Sequence, residues 1–471
     1  MKTIRFNLIP ALVLCATGIF ASNDWLNIYY RQDGRVRVSA NALTEIDSIY
    51  FTAPDSILPD SFTHINIQSK INGLETVPLS EADSLILGTN IPTLYIDTDP
   101  YVEEITSKTD YLKASLRYIP YGDGTDTLVS EVNIRGRGNT TWLYPKKPYR
   151  LKFDKKQSLG GLRKAKSFVL LANFLDNTML KDAIAYKMAD LLGMPFANGA
   201  KPVNLVFNRR YRGTYILTEK TGINAGSVDI DETKGILWEL DTYFDEDYRF
   251  VSDTYGIPCM AKDPDFMEIA DGDSLAADSI WCHWKEDLNH TISNATGENW
   301  EDFFDAEQMV KFVLVNNLMA NHEISFPKSV KLYKEHIDGK YKMGPVWDFD
   351  WTLGYNLTVS TPYLVNLETG SYDFFRPIFQ SKTFQQAFRE EFIRFRDELL
   401  PALFDYIDSM AKEVRTAAYQ DAAIWKREHW GETYENVEIN KSRFDENIEF
   451  IKNYIQERIS LIEASPNFLL Y

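Results

Sequence analysis

The sequence predicts an α+β chain in which a strand-rich half is followed by a helix-rich half. Three observations carry this. Short runs of alternating apolar and polar residues crowd positions 90 to 220, one amphipathic helical pattern interrupts them, and long helical patterns prevail from Trp300 onward. The spacing divides the chain into residues 1–21, 22–60, 90–235 and 236–471.

Residues 1–21 read as an export signal: Lys2 and Arg5 precede an uncharged run from Leu8 to Ala21 that is too short to anchor the chain across a bilayer. Cys15 within it raises a lipid anchor as an alternative. Residues 22–60 hold Trp25-Leu-Asn-Ile-Tyr-Tyr30 and Val36-Arg-Val38 about the turn Gln32-Asp33-Gly34, a small β-hairpin leader. Strands are expected near 91–97, 111–119 and 127–135, then at Lys146–Phe153, where Tyr149, Leu151 and Phe153 alternate with Arg150 and Lys152. Ser167–Asn173 reads as a buried strand. A helix is expected from Asp176 to Gly193, capped by Asp176 or Asn177, and Pro202–Phe207 and Gly213–Thr218 as two further strands. Trp300–His322 carries helical apolar spacing, and Val330–Lys334 with Lys340–Gly344 reads as a hairpin about Asp338-Gly339. The mature chain keeps Cys259 and Cys282, too few for a disulfide framework but enough for one bridge.

With 471 residues and 44% hydrophobic content the chain is long and apolar enough for sizeable cores, which excludes a disordered tail. A formal net charge of −18 argues against a general nucleic-acid binder. An anionic ligand must therefore meet a local basic cluster. One exists: Arg135, Arg137, Lys146, Lys147, Arg150, Lys152, Lys155 and Lys156 surround the glycine-rich turn Arg135-Gly-Arg-Gly138, whose N–H groups could approach an anion. A solvated strand edge defended by basic residues is the alternative.

The acidic counterpart is Val346-Trp-Asp-Phe-Asp350. If Met343–Trp347 is a buried strand, Asp348 and Asp350 emerge on one face at its end, and paired carboxylates suit Mg²⁺ or Mn²⁺. Two aspartates in a plain turn are the alternative; the aromatics Trp347, Phe349 and Trp351 weigh against it.

Ile134-Arg-Gly-Arg-Gly-Asn-Thr-Thr-Trp142, Lys147-Pro-Tyr-Arg-Leu-Lys-Phe153, Leu171-Ala-Asn-x-x-Asp176, Gly213-Thr-Tyr-x-Leu-x-Glu219 and Val346-Trp-Asp-Phe-Asp350, in that order, resemble the spore coat protein H (CotH-like) kinase family. The resemblance implies a two-lobed atypical protein-kinase-like fold, residues 90–235 and 236–471 being the lobes. It also implies an exported kinase that uses ATP with Mg²⁺ or Mn²⁺ to phosphorylate Ser or Thr of a protein outside the cytoplasm. On it, Asp348 takes the metal-binding role, Lys152 with Arg135 or Arg137 contacts the phosphates, and Glu219 to Thr221 meets the adenine. Glu323 stands where the family places a catalytic aspartate, one methylene longer, and a misplacement of about 1 Å can cost roughly a hundredfold in rate. His322 is either an alternative base or a cap for the preceding helix, and Asn317 and Ser329 are accessory polar candidates. Two other readings stand beside the kinase. One is a pseudokinase acting as a surface binding module; the other is a glycoside hydrolase using Glu323 with Asp348 or Asp350.

Overall fold

A computed structural model describes the strand backbones within 25–87 and residues 91–121, 127–176, 178–208, 210–325, 328–354, 375–425 and 444–465. It is 38% helix and 25% strand, which places it in the α+β class. The expected export signal and Cys15 lie outside the described residues.

The leader hairpin forms as expected. Strand β1 (Trp25–Gln32) pairs antiparallel with β2 (Arg35–Ala42), Gln32 opposite Arg35, the register a two-residue connection sets. The pairing continues past residue 60, because β6 (Ala82–Leu87) returns to the other edge of β1. Between them β3 (Ile46–Thr52), β4 (His64–Ser69) and β5 (Gly73–Pro78) make a second three-stranded sheet.

The next seven strands close into a barrel. They are β7 (Thr93–Asp99), β8 (Leu112–Ile119), β9 (Leu128–Gly136), β10 (Tyr149–Gln157), β11 (Ala165–Leu171), β12 (Lys201–Phe207) and β13 (Arg210–Glu219), joined in the order β10-β11-β13-β12-β7-β8-β9. All pairs are antiparallel except β7 with β12. The period-2 pattern explains the interior: Tyr149, Leu151 and Phe153 of β10 turn inward with Phe168, Leu170, Tyr215 and Leu217, while Arg150 and Lys152 face out. Closure removes the sheet edges that a strand-rich chain must otherwise protect.

Helix α1 (Lys181–Leu191) leaves the barrel after β11 and is buried nearly all round. It begins five residues later than Asp176. That side chain still organises its start, Oδ2 accepting from the Lys181 N–H at 2.9 Å and Oδ1 from Thr178.

The second half is built on a five-stranded sheet, β15 (Arg249–Val251), β16 (Pro258–Asp263), β14 (Ile236–Leu240), β17 (Val330–Lys334) and β18 (Lys342–Met343) in that spatial order. Around it lie α2 (Ser274–Asn294), α3 (Ala306–Leu318), α4 (Lys382–Arg394), α5 (Leu400–Ile424) and α6 (Phe444–Glu463). Its core joins Val169 and Ile216, which point out of the barrel, to α1 and to Phe384, Phe388 and Phe392 along α4.

Two expected elements are shorter than their patterns. The helix expected over Trp300–His322 breaks after Phe303, because Tyr341 inserts its backbone there, its N–H donating to the Phe303 carbonyl and its carbonyl accepting from Asp305. Asp305 then caps α3 by accepting from the Gln308 N–H at 3.0 Å. The buried strand expected over Met343–Trp347 ends at Met343. Gly344 makes the last ladder bond, to Lys331, and Pro345 has no N–H to continue it. Cys259 is buried, Cys282 exposed, and both are free thiols, so the bridge allowed by the count is not formed. Among the described residues no helix is long and apolar enough to cross a membrane.

Candidate functional site

Asp348 and Asp350 lie in the loop that follows β18 rather than at the end of a strand. Asp348 sits in the left-handed region, φ +68°, so strand alternation does not govern the pair, and the Asp348 charge acts on Asp350. Ser329 Oγ donates to Asp348 Oδ2 at 3.2 Å, and the Ser329 N–H donates to Asp241 Oδ2 at 3.0 Å. Trp347 and Phe349 are buried and anchor the loop in the core. Gly354 closes it at φ +87°, where a Cβ would meet the Phe450 ring at 2.9 Å.

The loop is gripped from α1. Asp182 Oδ1 accepts from the Phe349 N–H at 2.9 Å, and Lys181 Nζ donates to the Thr352 carbonyl at 2.8 Å and to the Asp350 carbonyl at 3.3 Å. Both side chains are buried. Sequence reasoning assigned Lys181 and Asp182 to a helix and nothing more. The one available signal was a charged pair, Lys181 and Asp182, directly before the apolar run Ala183–Tyr186.

Glu323 lies in a short 3-10 turn, His322–Ser325, directly after α3. Its N–H donates to Asn321 Oδ1 at 3.1 Å, and Asn321 in turn donates to Asn316 Oδ1 at 2.9 Å. Lys328 Nζ stands 3.9 Å from Glu323 Oε1. The His322 side chain lies outside what is described. Asn317 is removed from the accessory set, because its carbonyl and Oδ1 are taken by the buried guanidinium of Arg458 on α6 at 2.9 Å each.

The Asp348 carboxylate thus acts on three other carboxyls, Asp182, Glu323 and Asp350. Burial, then Asp348, pushes Asp182 up to about 7. The same two causes, in the same order, push Glu323 up to about 8. Asp350 is raised well above the usual carboxylate range by burial and then by Asp348, Asp182 and Glu323. Acids crowded in this way favour a cation. Among the described residues no three His, Cys, Asp or Glu side chains converge as a complete ligand set. Mg²⁺ does not require one: it is held by one or two carboxylates and completes its shell with water and phosphate oxygens, so Asp348 with Asp350 fits.

The basic cluster sorts into structural and free members. Lys146 is fully buried in an ion pair with Asp421 of α5 at 2.6 Å, and Lys147 Nζ donates to the Trp142 carbonyl at 2.6 Å. Lys155 and Lys156 are exposed. Arg135, Arg137, Arg150 and Lys152 remain on the outer face of β9, β10 and the turn between them. Arg137 lies over the Trp347 ring, 5.6 Å from its centroid, and its charge acts on Asp182, so this turn meets the acidic loop. Two of the turn's N–H groups are engaged within the fold, Gly136 donating to the Ser107 carbonyl and Arg137 to Pro148. Gly136 is needed because a Cβ there would meet the Trp142 ring at 2.3 Å. Lys152 is exposed, whereas Arg150 is half-buried.

Glu219 is committed elsewhere. Its Oε1 accepts from the Arg163 N–H at 3.1 Å and its Oε2 from the Gly199 N–H at 2.8 Å, so the carboxylate ties two loops to the end of β13. Lys220 and Thr221 continue the chain from this exit. Burial pushes the Lys220 ammonium down to about 8, against the pull of Asp263.

Cationic groups on the barrel wall thus lie beside the crowded carboxyls of the loop after β18. The model of the CotH kinase protein family matches residues 134–462, most of the chain, and the chain belongs to that family. Membership carries a kinase-like function. A comparison with curated proteins returned no match.

Proposed function

We propose that the protein is an exported, metal-dependent atypical kinase that moves the γ-phosphate of ATP to a Ser or Thr hydroxyl of a protein outside the cytoplasm. The barrel and the helical half serve as its two lobes. The observation that carries the reading is the crowding of Asp182, Glu323 and Asp350, carboxyls pushed up by burial and by the charge of Asp348, on the side of the site where Arg137 acts on Asp182. Asp348 and Asp350 would hold Mg²⁺ or Mn²⁺, which when bound neutralises phosphate charge. Ser329 fixes the Asp348 carboxylate, and Arg137 and its neighbours on the barrel bind and orient the phosphates. Glu323 Oε1 accepts the acceptor hydroxyl's proton, with Lys328 favouring its charged form. An uncharged Glu323 cannot accept that proton, so activity rises with pH through its titration.

The extra methylene at Glu323 and its raised pKa favour a second reading, a catalytically weak relative that binds nucleotide and acts as a surface module. Under either reading a lipid anchor at Cys15 would keep the chain at the membrane surface. The deciding experiment incubates residues 22–471 with radiolabelled ATP, Mg²⁺ or Mn²⁺ and generic protein acceptors, beside Asp348→Asn. Transfer should fall by at least about a hundredfold in the variant, more than the roughly 10–100-fold that loss of an outer-shell partner costs. Equal transfer by both proteins would remove Asp348 from the site. Metal-dependent ATP binding without transfer would favour the second reading.

A further inference from the structure

Asp241, the residue directly after β14, is 7% exposed and belongs neither to the acidic pair nor to the acids that the sequence singled out. It is nonetheless tied to the site. Its Oδ1 accepts from the Tyr243 N–H at 2.6 Å and its Oδ2 from the Ser329 N–H at 3.0 Å, so both oxygens are fixed by backbone donors. The sheet puts it there: Leu240 of β14 lies opposite Val330 of β17, which sets Asp241 and Ser329 across from each other just past the end of the ladder. An Asp that only closes a turn bonds its own chain two residues on. This one is buried, spends its second oxygen 88 positions away and forms no ion pair among the described residues, Lys331 being paired with Glu239. Its partner is strained. Ser329 lies in the left-handed region at φ +54°, and so does Asp348, the residue that its hydroxyl meets at 3.2 Å. Residues other than glycine enter that region at a cost and persist there where their surroundings hold them.

We propose that Asp241 is a positioning residue for the metal-binding aspartate. By taking the Ser329 N–H it holds Ser329 in the left-handed conformation, and that conformation aims Oγ at Asp348 Oδ2. The role rests on the kinase reading, in which Asp348 holds Mg²⁺ or Mn²⁺. Groups that hydrogen-bond a ligating carboxylate set its orientation and its affinity, and Asp241 acts one bond further away, through Ser329. Asp241→Asn separates its two bonds. The Tyr243 bond is the shorter and the more local, so the single amide oxygen stays with it and the NH₂ group faces the Ser329 N–H, donor against donor.

Calorimetry on residues 22–471 with a non-hydrolysable ATP analogue, once with Mn²⁺ and once with chelator, measures the gain in affinity that the metal supplies. The parent is compared with Asp241→Asn, Ser329→Ala, their double variant, Asp348→Asn and Asp247→Asn. Asp241→Asn and Ser329→Ala should each cut the gain by roughly 10-fold or more, within what loss of a ligand's hydrogen-bond partner costs. The double variant should lose no more than either alone, because both act at one bond. Asp247 is exposed on the same loop, so its variant controls for the loss of a nearby charge and should match the parent. Asp241→Ala gives the same contrast should the amide unsettle the sheet. A residue that only braces the loop would lower the melting temperature and leave the gain as it was. An undiminished gain in the Asp241 variants, or losses that add in full in the double variant, overturns the positioning role, and abolition of the gain by Asp348→Asn in the same series leaves the kinase reading standing. A gain that survives Asp348→Asn, or a parent that shows none, removes the metal reading and the role built on it.

Discussion

Replacing Asp182 by Asn isolates the strain among the crowded carboxyls. An Asn carbonyl oxygen can still accept from the Phe349 N–H, so the 2.9 Å bond survives and only the charge is removed. The folded-state pKa of Asp182, pushed by burial and Asp348 from 3.8 to about 7, lies above its unfolded value. The folded protein therefore holds this proton more tightly, and the group lowers stability as pH rises from about 4 to about 7, levelling off above that. About three pK units correspond to roughly 4 kcal/mol at pH 8, an upper figure because neighbouring titrations share it. Urea unfolding of parent and variant with chelator present, at pH 5 and pH 8, measures the effect. The variant should be the more stable at pH 8, by up to about 4 kcal/mol, with the gap contracting at pH 5 to roughly a third of that. Saturating Mg²⁺ should raise the parent's stability more than the variant's, because a cation is what the crowded charges favour. A variant less stable than its parent at pH 8, or a gap independent of pH, would refute the repulsive cluster.

Two further outcomes follow from buried pairs away from the chemistry. Lys146→Met and Asp421→Asn should each cost roughly 3–5 kcal/mol, since each leaves a buried partner and loosens α5 from the barrel. Their double variant in the same unfolding assay should cost clearly less than the two summed; strict additivity would mean that the pair does not couple. Glu239 is pulled down to about 2 because Lys331 and Lys262 together outweigh the burial that raises it. A carboxyl lowered on folding contributes stability above its unfolded pKa near 4.5 and loses it as pH falls toward 2. The parent should accordingly forfeit roughly 3 kcal/mol across that window, and Glu239→Gln should be correspondingly less stable at neutral pH and flatter below pH 4.5.

Much of this molecule was written in local pattern. Alternation placed β8, β9 and β10 and chose which face of β10 turns inward, because period 2 follows from strand geometry alone. Helical spacing from Trp300 onward announced the helix-rich half, and the ordered motifs carried the family. The concentration of basic residues near 135–156 was also visible, but not its division. Lys146 and Arg150 are both basic residues of one short stretch, yet one is locked to Asp421 on a helix far along the chain and the other faces Tyr111 with its Nε unpaired. Nothing local separates them, since each fate depends on what the fold brings opposite. The carboxylate of Glu219 ties two loops, and Asn317 belongs to Arg458, partners that no local pattern announces.

The sequence by itself determined the mixture of strand-rich and helix-rich halves, most strands of the barrel, and the family. Only the tertiary structure decided how Asp348 and Asp350 are presented. Pro345 ends the strand, a left-handed turn at Asp348 replaces alternation, and Lys181 with Asp182 hold the loop from a helix that the sequence places far away. Periodicity reports the conformation of neighbouring residues, whereas burial, charge pairing and pKa report residues distant along the chain, and those become neighbours only when the core closes.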